Sequence, residues 1–222
     1  LGAKQHRVVN VSFLAPAYGE VLVPVSCVEQ GRWHSVSDVF TTGFIAPAML
    51  RAKKNASVGD RIRATGGRGS NQGEVWQDVA ACLNSFGVES GTQSLNDAYE
   101  ATGTLRGRFR EKLTAPEKAA GALMLAGPRV LGMDVFDCPS TFHKVWPRLA
   151  DSYALEAARD PKPLPAGSVE TAQAFLQQVG LSLQPVEKPL GLGMELQVTG
   201  MNLSGFGILH EDRLCHLAAF SV

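Results

Sequence analysis

Ala122-Leu123-Met124-Leu125-Ala126, Gly127-Pro128-Arg129, Val130-Leu131-Gly132-Met133-Asp134-Val135-Phe136 is the stretch that decides the fold. Two apolar runs of strand length flank a Gly-Pro turn, which predicts a β-hairpin. A second stretch repeats the form. Gly205-Phe206-Gly207-Ile208-Leu209 leads to a polar turn at His210-Glu211-Asp212-Arg213, then to Leu214-Cys215-His216-Leu217-Ala218-Ala219-Phe220. Each closing run ends in Phe, so an internal pseudo-duplication is one expectation. Residues 194–199 add a further strand before the second hairpin.

Helices are predicted around these hairpins. Ser140 or Thr141 caps a helix running through Val145, Trp146, Leu149, Tyr153, Leu155 and Ala158, with Pro147 marking its first turn or a kink. Ser168-Val169-Glu170-Thr171 opens another, through Phe175, Leu176 and Val179 to Gly180. Val75, Trp76, Val79, Ala80 and Leu83 keep a helical 3–4 spacing, Ser94 is a cap for a helix through Tyr99, and Pro116 opens a short helical turn. Residues 160–167 read as a Pro-rich linker.

The N-terminal part reads as a third hairpin. Residues 7–14 and 21–28 are rich in β-branched residues and are joined by Ala15-Pro16-Ala17-Tyr18-Gly19-Glu20. Pro24 places its strand at an edge or a bulge. Residues 51–73 are rich in Gly, Arg and Ser with little apolar period, and are expected to form a long flexible loop. Within it six basic residues (Arg51, Lys53, Lys54, Arg61, Arg63, Arg68) stand against one acid, Asp60. Such a run is a solvated face or an arm that contacts phosphate. The fold class expected is α+β: a mostly antiparallel sheet of hairpins with packing helices, in one domain.

Composition narrows the function classes. The 222 residues carry zero formal net charge, 45% hydrophobic and 19% charged side chains, so no global attraction to nucleic acid or membrane is built in. No apolar run reaches the roughly 18 residues of a membrane span. Cys27, Cys82, Cys138 and Cys215 are scattered, without a CxxC pair. They fit reduced thiols, a cytoplasmic location and no structural zinc. HExxH and GxSxG are absent, and Gly66-Gly67-Arg68-Gly69-Ser70-Asn71-Gln72-Gly73 lacks the Lys-Ser/Thr ending of a phosphate-binding P-loop.

Three groups of residues are suited to chemistry. Glu29, Gln30, Arg32 and Trp33 follow the strand ending at Val28 and offer an acid or base, an amide, an anion-binding fork and a stacking surface. Lys4, Gln5 and Arg7 begin the facing strand, so the hairpin alone would bring the two groups together. Gln72 and Glu74 stand where the Gly-rich segment enters a helix, a position able to meet an anion. Asp134, inside an apolar strand, must be paired or functional. Cys27 reads as a buried thiol and His216 as a core histidine.

Gly2-Ala3-Lys4-Gln5-His6-Arg7-Val8-Val9-Asn10, Val23-Pro24-Val25-Ser26-Cys27-Val28-Glu29-Gln30-Gly31-Arg32-Trp33 and the closing His216-Leu217-Ala218-Ala219-Phe220 resemble a bacterial family of unknown function. That family is named for its association with ADP-ribosylglycohydrolase and rhodanese-phosphatase proteins. In it the Gly-Ala-Lys-Gln motif follows Gly-Glu and several dozen further residues, so upstream residues are expected to be missing here. His6 stands where the family more often has Asn. The resemblance implies an α+β fold and a link to ADP-ribose or nucleotide metabolism. The expectation is then a cytoplasmic domain that binds or processes a phosphorylated small molecule, with Glu29 as acid/base and Lys4, Arg7 and Arg32 on phosphate. The alternative is a non-catalytic scaffold whose polar motifs are structural ion pairs. No cofactor or metal is assigned, membrane and nucleic acid are not expected as partners, and homo-oligomerisation is left open.

Overall fold

The structure is a computed structural model and describes residues 5–34, 43–159 and 165–222. Its main sheet has six antiparallel strands in the order β3-β4-β8-β7-β6-β5. These are β3 (Gly121–Ala126), β4 (Arg129–Phe136), β5 (Leu183–Pro185), β6 (Met194–Gly200), β7 (Leu203–His210) and β8 (Arg213–Ser221). Both expected hairpins are present as β3–β4 and β7–β8. The second turns through Glu211 and Asp212, both at positive φ (50° and 58°), as a two-residue hairpin loop requires.

Alternation along β8 shows how the sheet is covered. Ala218 and Phe220 pack with Leu131 against α1 (Ala48–Thr65) and α5 (Pro139–Ala158), through Ala48, Ala52, Leu149 and Tyr153. Leu217 and Ala219 point the other way, onto Phe175 and Val179 of α6 (Val169–Leu181). The sheet is thus buried on both faces, and a one-residue slip of β8 would exchange the two cores.

A second cluster of apolar side chains lies beside this layer. It joins Val28 to α2 (Gln72–Ser85) and α3 (Leu95–Ala101) through Val75, Val79, Leu83, Leu95 and Tyr99. The N-terminal hairpin is there, shorter than the sequence predicts: β1 (Arg7–Val9) pairs antiparallel with β2 (Val25–Cys27), with Arg7 opposite Cys27. Ser94 caps α3 and Ser168 caps α6, as expected.

Two expectations are corrected, the loop at 51–73 and the cap of α5, and one helix is added. Residues 51–73 are not a long loop: α1 runs to Thr65, Gly66 closes it in the left-handed conformation (φ 73°), and α2 begins at Gln72. The helix escapes pattern reading because its buried side mixes Ala48, Leu50, Ala52 and Val58 with Lys54, Asn55 and Gly59. Gly59 is there for closeness, since a Cβ would lie 2.0 Å from Gln197 Nε2 on the sheet. The added helix, α4 (Gly103–Lys112), has no buried residue and so no apolar period; Arg106 ties it to Asp151 of α5 at 2.7 Å. Second, Cys138 rather than Ser140 or Thr141 is the N-cap of α5. Pro139 opens that helix, and Pro147 lies inside it. After Pro116 the chain makes a single hydrogen-bonded turn, with the Ala119 N–H donating to the Pro116 carbonyl at 2.9 Å. Of the linker read at 160–167, residues 160–164 lie outside the described residues.

Among the described residues no helix is long and apolar enough to cross a membrane.

Candidate functional site

Asp134 is 1% exposed, on the β4 face that meets α1 and α5. A carboxylate there must be fully bonded, and it is. Arg51 of α1 grips both its oxygens, with Nη1 donating to Oδ2 at 3.0 Å and Nη2 to Oδ1. Tyr153 of α5 donates its hydroxyl to Oδ2 at 2.7 Å. His216 Nε2 lies 3.4 Å from Oδ1. The β4–β8 register sets Phe136 opposite His216 and Asp134 opposite Ala218. Asp134 and His216 are therefore diagonal neighbours on one face. Burial pushes the Asp134 carboxyl up, but the Arg51 charge and the His216 hydrogen bond outweigh it and hold it at about 2. Tyr153 is driven the other way by burial and by the Asp134 charge, well above its ordinary value.

The other ring nitrogen of His216 points at the N-terminal segment. Ser12 Oγ lies 2.8 Å from His216 Nδ1. The ring is held against Phe136, with centroids 4.7 Å apart. One turn beyond Arg51, Lys54 is buried and donates to the carbonyls of Val9 (2.9 Å) and Asn10 (2.8 Å). Burial, helped by the Arg51 charge, lowers its ammonium to about 7.

These groups border a cavity of about 400 Å³, a size typical of small-molecule sites. Arg7, Arg51, Lys54 and Arg148 line it, together with Ser12, His216 and the aromatic rings of Phe44 and Phe206. No carboxylate is among the described residues of the lining. Arg148, on α5, forms no ion pair with a described residue and also borders a smaller cavity of about 230 Å³ beside Tyr99. With no carboxylate among its described lining residues and Asp134 held behind Arg51, the described wall of the cavity is electrostatically prepared for an anion.

The residues picked out from the sequence fall in three places. Gln5 and Glu29 meet across the N-terminal hairpin. Gln5 Nε2 donates to the Glu29 carbonyl at 3.3 Å, and the His6 N–H donates to Glu29 Oε2 at 2.9 Å. The Glu29 side chain also accepts from Arg32 Nη2 at 2.6 Å and from Thr92 Oγ1 at 3.2 Å. Both Glu29 and Arg32 are buried and do not line the cavity. Burial raises the Glu29 carboxyl, yet the Arg32 and His6 hydrogen bonds leave it below its ordinary value. Gln30 and Trp33 are exposed.

Gln72 binds the backbone of Cys27, and Glu74 lies in the first turn of α2, its N–H capped by Asn71. Arg7 links the two regions: it reaches Gln5 Oε1 at 3.4 Å and lines the cavity. Lys4 lies outside the described residues. Of the basic run, Lys53 pairs with Asp78, Arg63 with Asp60 and Arg68 with Glu195, so only Arg51 and Lys54 of the run border this cavity. Ser12, Tyr153 and Arg148 carry no local sequence signal for a site.

No curated protein and no solved structure matches the chain. One family does, over residues 1–220: the domain described as ARG and Rhodanese-Phosphatase-superfamily-associated Protein. The chain belongs to this ARG and rhodanese-phosphatase-superfamily-associated family.

Proposed function

We propose that the cavity between β1, α1 and β8 binds a phosphorylated small molecule of the nucleotide or ADP-ribose kind. The observation that carries this reading is the convergence of Arg7, Arg51, Lys54 and Arg148 on one cavity without a carboxylate in its described lining. Guanidinium groups match phosphate oxygens bidentately, and Phe44 and Phe206 give a base or sugar an apolar surface. The family's association with ADP-ribosylglycohydrolase proteins agrees with that ligand class. Glu29 takes no part at the cavity in this reading. With Gln5, His6, Arg32 and Thr92 it fastens the hairpin on which Arg7 is mounted.

A second reading, a non-catalytic scaffold, draws support from the burial of Glu29 against Arg32. One experiment separates the two. Inorganic pyrophosphate, ADP-ribose and NAD are compared by thermal shift on the wild type and on Arg148→Ala. Ligand at one hundred times Kd stabilises by about 2.7 kcal/mol. A shift in the wild type that Arg148→Ala loses supports the binding site. Absence of a shift with all three favours the scaffold.

A further inference from the structure

We infer that Ser12 is the nucleophile of an acyl transfer at this cavity, activated by His216 with Asp134 behind it, and that the substrate is a carboxylic ester borne by an anionic small molecule. The inference rests on the anion-binding reading for its substrate class. Its chemistry rests on a separate observation, the chain Ser12 Oγ–His216 Nδ1 at 2.8 Å and His216 Nε2–Asp134 Oδ1 at 3.4 Å. Ser12 and His216 both line the cavity, whereas Asp134 is sealed behind them.

This is the arrangement that nucleophilic catalysis by serine requires: a hydroxyl within reach of a base, and the base oriented by a buried ionised carboxylate. The histidine is used in the opposite sense to many serine hydrolases, with Nδ1 toward the hydroxyl. Only the roles matter: Nε2–H points to Asp134, which leaves the Nδ1 lone pair for the Ser12 proton. The 3.4 Å step is long, as catalytic hydrogen bonds often are before substrate binds. Arg51 and Tyr153 hold both oxygens of Asp134 in place, so the step shortens by movement of the imidazole.

The steps balance with water as the only co-reactant. Ser12 Oγ bonds to the ester carbonyl carbon as its proton passes to His216 Nδ1, and the carbonyl electron pair moves onto oxygen. That new negative charge forms in a cavity lined by Arg148, which makes no ion pair with a described residue, and positive charge held in place there stabilises it. The carbon–oxygen bond to the leaving group then breaks, and the alkoxide takes the proton from His216. Water, deprotonated by His216, attacks the acyl-Ser12 carbon, releases the carboxylic acid and restores the hydroxyl. An ester carbonyl suits this better than a phosphate monoester, since an incipient alkoxide meets an uncharged centre rather than an anion.

The test uses a fluorophosphonate probe, p-nitrophenyl acetate and p-nitrophenyl phosphate on the wild type, Ser12→Ala and His216→Gln. Pyrophosphate thermal shift serves as the control for an intact site. The expected result is an adduct that mass spectrometry maps to Ser12, hydrolysis of the acetate, and loss of both in Ser12→Ala. In His216→Gln both rates fall about 10²–10⁴-fold, together with the pH dependence set by the imidazole. An unlabelled Ser12 in protein that still responds to pyrophosphate overturns the nucleophile and leaves the anion site standing. An adduct at Ser12 without any pyrophosphate response supports the nucleophile and overturns the anionic substrate. Turnover of the phosphate ester in place of the acetate overturns the assignment to a carboxylic ester.

Discussion

Gln72 closes its side-chain amide on the backbone of Cys27: Nε2 donates to the Cys27 carbonyl at 2.8 Å, and Oε1 accepts from the Cys27 N–H at 2.9 Å. The side chain thus supplies the ladder partner that β2 lacks on the side away from β1, and fixes the start of α2 to the N-terminal hairpin.

Gln72→Ala therefore leaves both backbone groups of Cys27 without this partner. The expected loss is about 1–3 kcal/mol in urea unfolding. Gln72→Glu keeps an acceptor for the N–H but offers no donor to the carbonyl, so it should lose more than half as much. A Gln72→Ala protein as stable as the wild type would show that water replaces the amide without cost.

The Arg51–Asp134 pair makes a different demand. Removing Arg51 as Arg51→Met strands a buried carboxylate with only Tyr153 and His216 beside it. The expected cost is about 3–5 kcal/mol. Adding Asp134→Leu removes the stranded charge, so the double variant should be more stable than Arg51→Met alone. Simple additivity of the two losses in denaturant titrations would contradict the pairing.

Lys54 sets a stability trend with pH. Its folded value of about 7 lies below the ordinary 10.5, so between these values the unfolded chain binds more protons than the folded one. Stability linked to Lys54 is least below pH 7 and grows as pH rises through that window. From pH 7 to about pH 8.5 the gain is on the order of 1–2 kcal/mol. Lys54→Met should flatten the rise, read as midpoints of urea unfolding. Cys82, pushed up to about 11 by burial, acts in the opposite sense at higher pH, so the comparison stops short of its window.

The parts of the fold that could be read in advance share one property. In β4 and β8 apolar side chains alternate between two cores, and α5 and α6 each carry one apolar stripe, so local pattern and tertiary role agree. Helix α1 breaks that agreement. Arg51 and Lys54 look like solvent-facing charges until Asp134, 83 positions away, and the carbonyls of Val9 and Asn10 are seen to receive them. Asp134 announced itself because an acid in an apolar strand needs a cation, but nothing local says which one.

The meeting of residues 5–7 with 29–32 follows from hairpin geometry alone. Ser12 was invisible for the converse reason: a serine in a β-rich run has no pattern to violate, and its partner His216 is 204 positions away.

That separation bears on how the protein is made. β8 lies between β4 and β7 in the sheet, yet it is the last of the six strands in sequence. Until it inserts, the β3–β4 hairpin and the β5–β7 strands share no neighbour within the sheet, and the wall carrying His216 does not exist. The cavity is therefore complete only once β8 is in place, and a chain halted before residue 213 would carry Ser12, Arg51 and Asp134 without the histidine that links Ser12 to Asp134.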